Sequence, residues 1–350
     1  MSALRTAVVG GWAVVLLAAT CPASPPAVRI VVSKNIELFG VLAALADGPA
    51  SPGGSTAPVV RFEDWRDHRA AAFAGRILRQ RGRNSLARLA LRLSDLPEAR
   101  PLDPSVPAAF RTLLRQAVPA IRDFARVSDF ETYWAERRPA LESWASAAER
   151  ALAGIPLVPA LEGLFGASSA EYRMVYAPLM ERLRTGDLRN GPGGEEATVV
   201  FGPREGLEDG GRPVGRRLAI DVALLEFSRL RVYGLVDRHA RSFKRLAGLA
   251  SRAGAAAGPT GPRKPWRAFS IDNLTAAVQA HLAAGLFGED EGADLLARVH
   301  GDDVLAPALR AGLADFERDR GRYPTLDAFL PVLLSRLERD RAGRKPEAGP

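Results

Sequence analysis

The sequence contains few of the residue types that usually bind metals or form disulfides. Among its 350 residues there are four histidines and a single cysteine. Zinc sites made of Cys and His clusters, disulfide frameworks and thiol redox pairs all require more of these residues. The composition therefore excludes those three classes of site. The five residues concerned are His68, His239, His281, His300 and Cys21.

Lysine is also scarce, although the chain is basic. The 48 basic residues include only Lys34, Lys244, Lys264 and Lys345 as lysines, and the formal net charge is +8. A basic chain raises nucleic acid or an anionic membrane as a partner. Here the arginines are spread along the chain among Asp and Glu, and no recognition motif accompanies them. This pattern is typical of solvated helix faces, so we expect no nucleic-acid partner.

The first segment has the layout of a secretory signal peptide. Residues 1–5 carry one basic side chain, residues 6–20 are uncharged and mostly apolar, and residues 21–26 are small or helix-breaking. Because the apolar run is shorter than the about 20 residues that cross a bilayer, we expect no permanent membrane span. We predict a signal peptide over residues 1–23.

The sequence leaves the processing of this segment open among three alternatives. Cleavage after Ala23 is favoured, because small residues at Ala23 and Cys21 suit signal peptidase. Lipidation of Cys21 is the second alternative, but Ala18-Ala19-Thr20 is a poor lipobox. An uncleaved anchor is the third. The first alternative predicts a secreted, periplasmic or cell-envelope protein whose mature chain has no cysteine.

The remaining chain is predicted to be mostly helical over residues 28–195. A short β-branched strand is expected at Val28–Val32, and a helix at Ile36–Leu45. Apolar residues recur with helical spacing in four further segments, which are therefore predicted as helices. These segments are residues 64–93, 110–124, 130–152 and 170–183.

The later part, residues 196–339, combines one strand with several helices. The strand is Ala197–Phe201, and the helices are predicted at residues 218–241, 271–286, 304–318 and 326–339. If the strand lies at a sheet edge, it offers main-chain hydrogen bonds to an extended peptide; alternatively it only completes a small sheet. The charged tail, residues 340–350, is predicted to be disordered.

The helix at residues 218–241 carries a resemblance to a known family. Leu225-Glu226-Phe227-Ser228-Arg229, followed by Leu235-Val236-Asp237, resembles a segment that reads His-Glu-Phe-Ser-His in the domain of unknown function 4932 family. These are secreted bacterial proteins regarded as zincin-like metallopeptidases. Further similar segments follow the order of the family between about residue 28 and about residue 335. They are Glu37-Leu38, Leu45-Ala46, residues 67–71, residues 93–97 and residues 322–331.

The resemblance implies an α+β, predominantly α-helical fold with a zincin-like core, a small sheet and an active-site-type helix. It also implies zinc as the cofactor. Two histidines four residues apart on that helix bind the metal, and the glutamate between them deprotonates the attacking water. A third, acidic ligand comes from a later helix, where Asp272 is the matching position.

This chain departs from the pattern at both histidine positions. Leu225 has no donor atom, and the guanidinium of Arg229 never deprotonates and so cannot bind a metal. Only Glu226, as a vestigial general base, and Asp272 remain, and two carboxylates without imidazoles make a poor zinc site. We therefore expect no bound metal and a non-catalytic relative, with a peptide or protein as its ligand.

The sequence keeps several alternatives beside this interpretation. One is an active metal-dependent hydrolase with other ligands, and another is an interaction protein of the cell envelope. For Arg229, one hypothesis places its charge where zinc would lie, neutralising Glu226 and Asp272; the other points it into solvent. The sequence indicates no oligomeric state.

Overall fold

A computed structural model describes residues 27–47, 60–96, 98, 100, 108–180, 183–191, 193–202, 216–255, 265–300 and 305–343. The predicted signal peptide, with Cys21 and Ala23, lies outside these residues, as do residues 344–350 of the predicted tail.

The described part of the chain is mostly helical, with four strands. The strands are β1 (Val28–Val31), β2 (Glu171–Tyr176), β3 (Arg184–Gly191) and β4 (Gly194–Phe201). The helices before β2 are α1 (Lys34–Asp47), α2 (Arg69–Leu91), α3 (Ala108–Val127), α4 (Phe130–Leu152) and α5 (Leu157–Phe165). Those after β4 are α6 (Arg216–Arg238), α7 (Ala240–Ala255), α8 (Trp266–Phe287), α9 (Glu289–His300), α10 (Ala306–Arg318) and α11 (Leu326–Gly343).

The four strands form one mixed sheet in the order β1-β2-β4-β3. β1 is parallel to β2 with Val28 opposite Tyr172, and β2 is parallel to β4. β3 and β4 form an antiparallel hairpin in which Gly191 is paired with Gly194. β3 is thus the edge strand at one end of the sheet. The α+β, predominantly helical fold class is confirmed.

The sheet separates two hydrophobic clusters, because successive side chains of a strand point to opposite faces. Tyr172 and Met174 of β2 lie in a cluster with α5, α6, α8, α10 and α11. Val175 of β2 and Val200 of β4 lie in the other cluster, with α1, α2 and α3. The expected boundary between residues 195 and 196 falls inside β4, so the two parts of the chain share this sheet.

Several predicted elements need correction. Residues 170–183 were expected to be helical, but residues 171–176 form β2, whose buried Tyr172 and Met174 alternate with half-buried Arg173. Of the two alternatives for the strand at Ala197–Phe201, the structure agrees with the one in which it completes a small sheet, because β4 lies between β2 and β3. β3 was not predicted at all.

The helix boundaries also differ from the prediction at several places. The helix expected at residues 218–241 ends at Arg238, and α7 begins after His239. The last helix continues to Gly343, past its expected end at Arg339. In the part of the chain described here, no helix has both the length and the apolar character needed to cross a membrane.

Candidate functional site

Helix α6 is buried on nearly all sides around the segment Leu225–Arg229, which carries the resemblance. Every residue from Val222 to Ser228 is buried, so the helix lies inside the cluster formed with α8 and the sheet. Phe227 packs edge-on against Tyr172 of β2, with ring centroids 5.3 Å apart. Gln279 of α8 donates a hydrogen bond of 3.1 Å to the Asp221 carbonyl and so joins α8 to α6.

Glu226 is a buried acid in this apolar surrounding, and its side chain is 2% exposed. Arg229, one turn later on the same helix, donates from Nη1 to Glu226 Oε1 at 2.9 Å. The spacing of three residues places both side chains on one face of the helix, which permits this contact. The Arg229 side chain remains 26% exposed. It therefore connects a buried carboxyl group to the surface instead of pointing away from it.

Two more arginines surround this carboxyl group from other elements. The charges of Arg184, at the start of β3, and Arg88, on α2, both act on Glu226. Arg88 is held by a hydrogen bond of 2.9 Å from its Nε to Thr185 Oγ1. β3 comes close to α6 because Gly186 has no side chain: a Cβ there would lie 2.8 Å from the Leu230 side chain.

The pKa of Glu226 is raised above its ordinary value. Burial is the largest cause, since it disfavours the ionised form. Arg229, Arg184 and Arg88 act in the opposite direction, as cations beside a carboxyl group do, but they do not outweigh burial.

Asp272, at the third expected ligand position, lies on the neighbouring helix α8. It is half-buried on α8, between buried Ile271 and Asn273. The structure brings Glu226 and Arg229 together, and the neutralisation of Asp272 by Arg229 stays a prediction.

The residues at the expected zinc positions do not fit the metal. Leu225 is 5% exposed and presents only carbon atoms, and Arg229 presents a permanent cation. Within the described residues, no group of three or more His, Cys, Asp and Glu side chains is placed to hold a metal ion.

The three histidines whose side chains are described each contact a carboxylate in a different place. His68 caps α2, accepting from the Ala70 amide, and its Nε2 lies 3.2 Å from Asp123 of α3. His239 lies 2.7 Å from Asp327 of α11, and His281 lies 3.5 Å from Glu317 of α10. These pairs join neighbouring helices.

A second buried acid, Glu37 of α1, was not predicted. Its side chain is 2% exposed; Tyr133 Oη donates to its Oε1 at 2.6 Å, and Arg137 Nε lies 3.4 Å from the same oxygen. Burial raises the pKa of Glu37, and the two partners oppose that shift. In the sequence, Glu37 stands between Ile36 and Leu38, and this position inside an apolar run is a signal of burial.

The chain matches no protein-family model, no curated protein and no solved structure.

Proposed function

We propose that this protein is an exported, non-catalytic relative of the zincin-like peptidases, in which an ion pair occupies the place of the metal centre. The observation that carries the proposal is the Glu226–Arg229 contact of 2.9 Å around a carboxyl group that is 2% exposed. A general base must reach a water molecule and the substrate. Glu226 is instead enclosed, and it accepts a hydrogen bond from a side chain that never loses its charge.

The surrounding elements support the same proposal. α6 follows β4 and packs on the sheet, with α8 beside it. The resemblance requires a helix with two ligands and a later helix with a third, and the packing of α8 against α6 supports the proposal. On α6 the two ligand positions hold Leu225 and Arg229. The guanidinium supplies positive charge beside Glu226 without any metal, which limits the cost of burying that carboxylate.

For the ligand, we propose an extended peptide that pairs with β3. The Leu183 carbonyl oxygen accepts a hydrogen bond from the Gly202 amide. The odd-numbered residues of β3 therefore turn their main-chain N–H and C=O groups toward β4. The main-chain groups of Leu188, which is half-buried, and Asn190, which is exposed, therefore face away from β4. A peptide added there gains affinity from main-chain hydrogen bonds. A bound peptide should lose its affinity when the amides that face β3 are N-methylated.

The metal content of the protein tests the proposal directly. We expect purified wild-type protein to hold no stoichiometric zinc and to leave unfolded protein substrates intact. The double variant Leu225→His/Arg229→His should gain zinc affinity, because it restores two imidazoles four residues apart on one helix. The single variant Arg229→His is the matched control and should bind zinc far more weakly.

Two results would contradict the proposal at different points. Zinc that a chelator removes from the wild type together with hydrolytic activity would show an active enzyme. A double variant that keeps its helical circular dichroism but binds no more zinc than Arg229→His would remove the support for a zincin-like scaffold.

A further inference from the structure

Helices α2 and α3 contain many arginines and almost no acidic residues. α2 has six arginines and no Asp or Glu. α3 has four arginines and one acid, Asp123. On the later helices, exposed arginines contact carboxylates, as in the pairs Arg245–Glu338 and Arg267–Asp237. The mixing of positive and negative charge that the chain shows as a whole is therefore missing from these two helices.

The two helices lie side by side and run in opposite directions. His68, at the start of α2, lies 3.2 Å from Asp123, near the end of α3. Further along α2, Arg76 donates a hydrogen bond of 3.3 Å to Oε1 of Gln116, in the middle of α3. The part of α2 that follows Arg76 therefore lies beside the N-terminal half of α3. The exposed side chains of these two segments share one surface.

Four exposed arginines on this surface form what we call the basic patch. They are Arg76, Arg79 and Arg81 of α2 and Arg115 of α3. None of the four contacts a carboxylate within the part of the chain that the structure describes. Arg76 contacts the Gln116 amide and the Phe73 ring, and Arg115 donates to the Thr112 hydroxyl at 3.3 Å. These partners are neutral, so each guanidinium keeps its full charge.

The acids nearest to the basic patch are paired with other arginines. Asp47, the last residue of α1, forms an ion pair of 2.7 Å with Arg83. Asp123 contacts both Arg69, at 3.0 Å, and Arg126, at 2.8 Å. Neither acid is left to neutralise the basic patch.

The remaining acids around these helices lie at a distance. Those of residues 63–67 and Asp129 are at the opposite end of the helix pair, and the nearest along α2 is about 13 Å from Arg76. This exceeds the Debye length of about 8 Å at physiological ionic strength. Glu98 lies beside Arg122, which donates to its carbonyl oxygen. The basic patch therefore carries an excess of positive charge that no described acid cancels.

A broad anionic surface is the partner that fits the basic patch. A guanidinium donates two parallel hydrogen bonds to a phosphate group, and it stays charged at any physiological pH. Because the four arginines are spread over two neighbouring helices, they can reach several phosphates of a lipid bilayer at once. Residues 77–80 and 112–114, which separate them, include no aromatic side chain on which nucleic-acid bases could stack.

We propose that the basic patch holds this protein on the surface of an anionic lipid bilayer, without crossing it. The inference goes beyond the proposed peptide ligand and takes from the proposed function only the export, which brings the protein to lipid headgroups. α2 and α3 pack in the cluster on the face of the sheet opposite to α6. The lipid test and the zinc test can therefore fail separately.

Sedimentation with lipid vesicles tests the chemistry of the partner. The probe is vesicles of phosphatidylcholine and phosphatidylglycerol in equal amounts, and the chain begins at Ser24 so that the apolar residues 6–20 cannot insert. We expect binding at about 0.1 M salt and its loss at about 0.5 M salt, because salt screens the attraction. Vesicles of phosphatidylcholine alone should not bind.

Three results of this experiment would overturn the proposal. The first is equal binding, or equal failure to bind, with the two kinds of vesicle. The second is tighter binding of a short DNA duplex or of poly-glutamate at the same concentration of negative charge. The third is displacement by inorganic phosphate beyond that caused by chloride at the same ionic strength.

Arg79→Gln/Arg81→Gln tests the place of contact. Each arginine beside an anionic bilayer strengthens binding about fivefold, so this variant should need about 25-fold more anionic lipid for half-maximal binding. Its thermal unfolding should match the wild type, since both side chains are exposed. Arg245→Gln/Arg318→Gln is the matched control: it makes the same charge change at exposed positions on α7 and α10 and should change binding by less than about twofold.

Arg115→Gln keeps the test decisive if the double variant unfolds. Arg115 is exposed on α3, and its substitution should weaken binding about fivefold. Wild-type affinity in Arg115→Gln would show that the two helices do not share a lipid-binding surface and would overturn the proposal. Equal losses in the two double variants would do the same, because binding would then follow net charge alone.

Discussion

Glu226 and Glu37 are both buried acids, and they differ in the partners that make burial tolerable. Glu37 accepts from the neutral hydroxyl of Tyr133 and lies beside Arg137. Glu226 is contacted by a cation on its own helix, and two further arginines act on it from a distance. An ionised carboxylate in such surroundings is stable only when it is paired and hydrogen-bonded. Breaking the Glu226–Arg229 pair should therefore lower the stability of the protein, and the loss should depend on pH.

Arg229→Met should destabilise the protein by about 2 kcal/mol at neutral pH. Breaking a fully buried pair costs about 3–5 kcal/mol, and the exposed part of Arg229 reduces that cost. Because the folded-state pKa of Glu226 is raised, its contribution to stability is full below the ordinary pKa and is lost as pH rises through the folded value. Removing Arg229 raises that pKa further. The difference between variant and wild type, measured by urea unfolding, should therefore widen from about pH 4 to about pH 8.

Arg318→Met is the control, because Arg318 also pairs with an acid three residues before it, in an exposed position. Its cost should stay below about 0.5 kcal/mol at every pH. The double variant Glu226→Gln/Arg229→Met should be more stable than Arg229→Met alone at pH 8, since it leaves no unpaired charge. A pH-independent cost for Arg229→Met, equal to that of Arg318→Met, would show that Arg229 acts as an ordinary surface residue.

Only part of this site could be predicted from the sequence. The spacing of Glu226 and Arg229 on one helix made their contact one of two open alternatives, because helix geometry is local. Arg88 and Arg184 belong to α2 and β3, and nothing local connects them with α6. Asp272 was placed near Glu226 by the resemblance, and that placement depends on the relative rotation of two helices, which a sequence pattern does not specify.

Among the elements, β2 and β3 were the ones that the pattern failed to indicate. β2 has only six residues, and its alternation of buried Tyr172 and Met174 with Arg173 is too short to separate from helical spacing. β3 contains two glycines and only one large apolar residue, Leu188. It is a strand because β4 provides its hydrogen-bond partners. The long helices were predictable because their apolar positions recur over several turns.

The residue that follows β4, Gly202, lies against the backbone of the turn before β3, and this close approach can be tested by substitution. A Cβ on Gly202 would lie 1.7 Å from the carbonyl oxygen of Met180, and the Gly202 amide donates to Leu183 at 2.8 Å. Gly202→Ala should therefore destabilise the protein by at least about 3 kcal/mol, because two backbone segments must separate. Thermal or urea unfolding measures the loss.

Gly248→Ala is the same chemical change, but it is expected to stabilise the protein. Gly248 is exposed inside α7, and a Cβ there would meet no atom within 4 Å. The substitution should stabilise the protein by about 0.5–1 kcal/mol, since alanine loses less backbone entropy in a helix. If Gly202→Ala were as stable as Gly248→Ala, the close approach of residues 180 and 202 would be incorrect.

At the scale of the whole molecule, the sheet couples the two hydrophobic clusters. Leu89 of α2 and Leu330 of α11 are both fully buried, one in each cluster. Leu89→Ala and Leu330→Ala should each cost about 2–5 kcal/mol. Because both clusters pack on strands of the same sheet, each substitution should shift one common unfolding transition, recorded by far-ultraviolet circular dichroism.

Val332→Ala is the control for this experiment, since Val332 also lies on α11 but is 37% exposed. Its effect should be below about 1 kcal/mol. Two separate transitions, with each leucine variant moving only one of them, would mean that the clusters unfold as independent units.

The parallel pairing of β1 with β2 has a consequence for the order of events during folding. Val28 stands opposite Tyr172, and all of α1 to α5 lies between the two strands in the chain. Closing so long a loop costs entropy before any contact compensates for it, and such non-local pairings slow folding. During synthesis, β1 cannot pair with β2 until the chain beyond residue 176 has emerged. A nascent chain that stops before β2 can assemble helices, but it has no sheet for β1 to join.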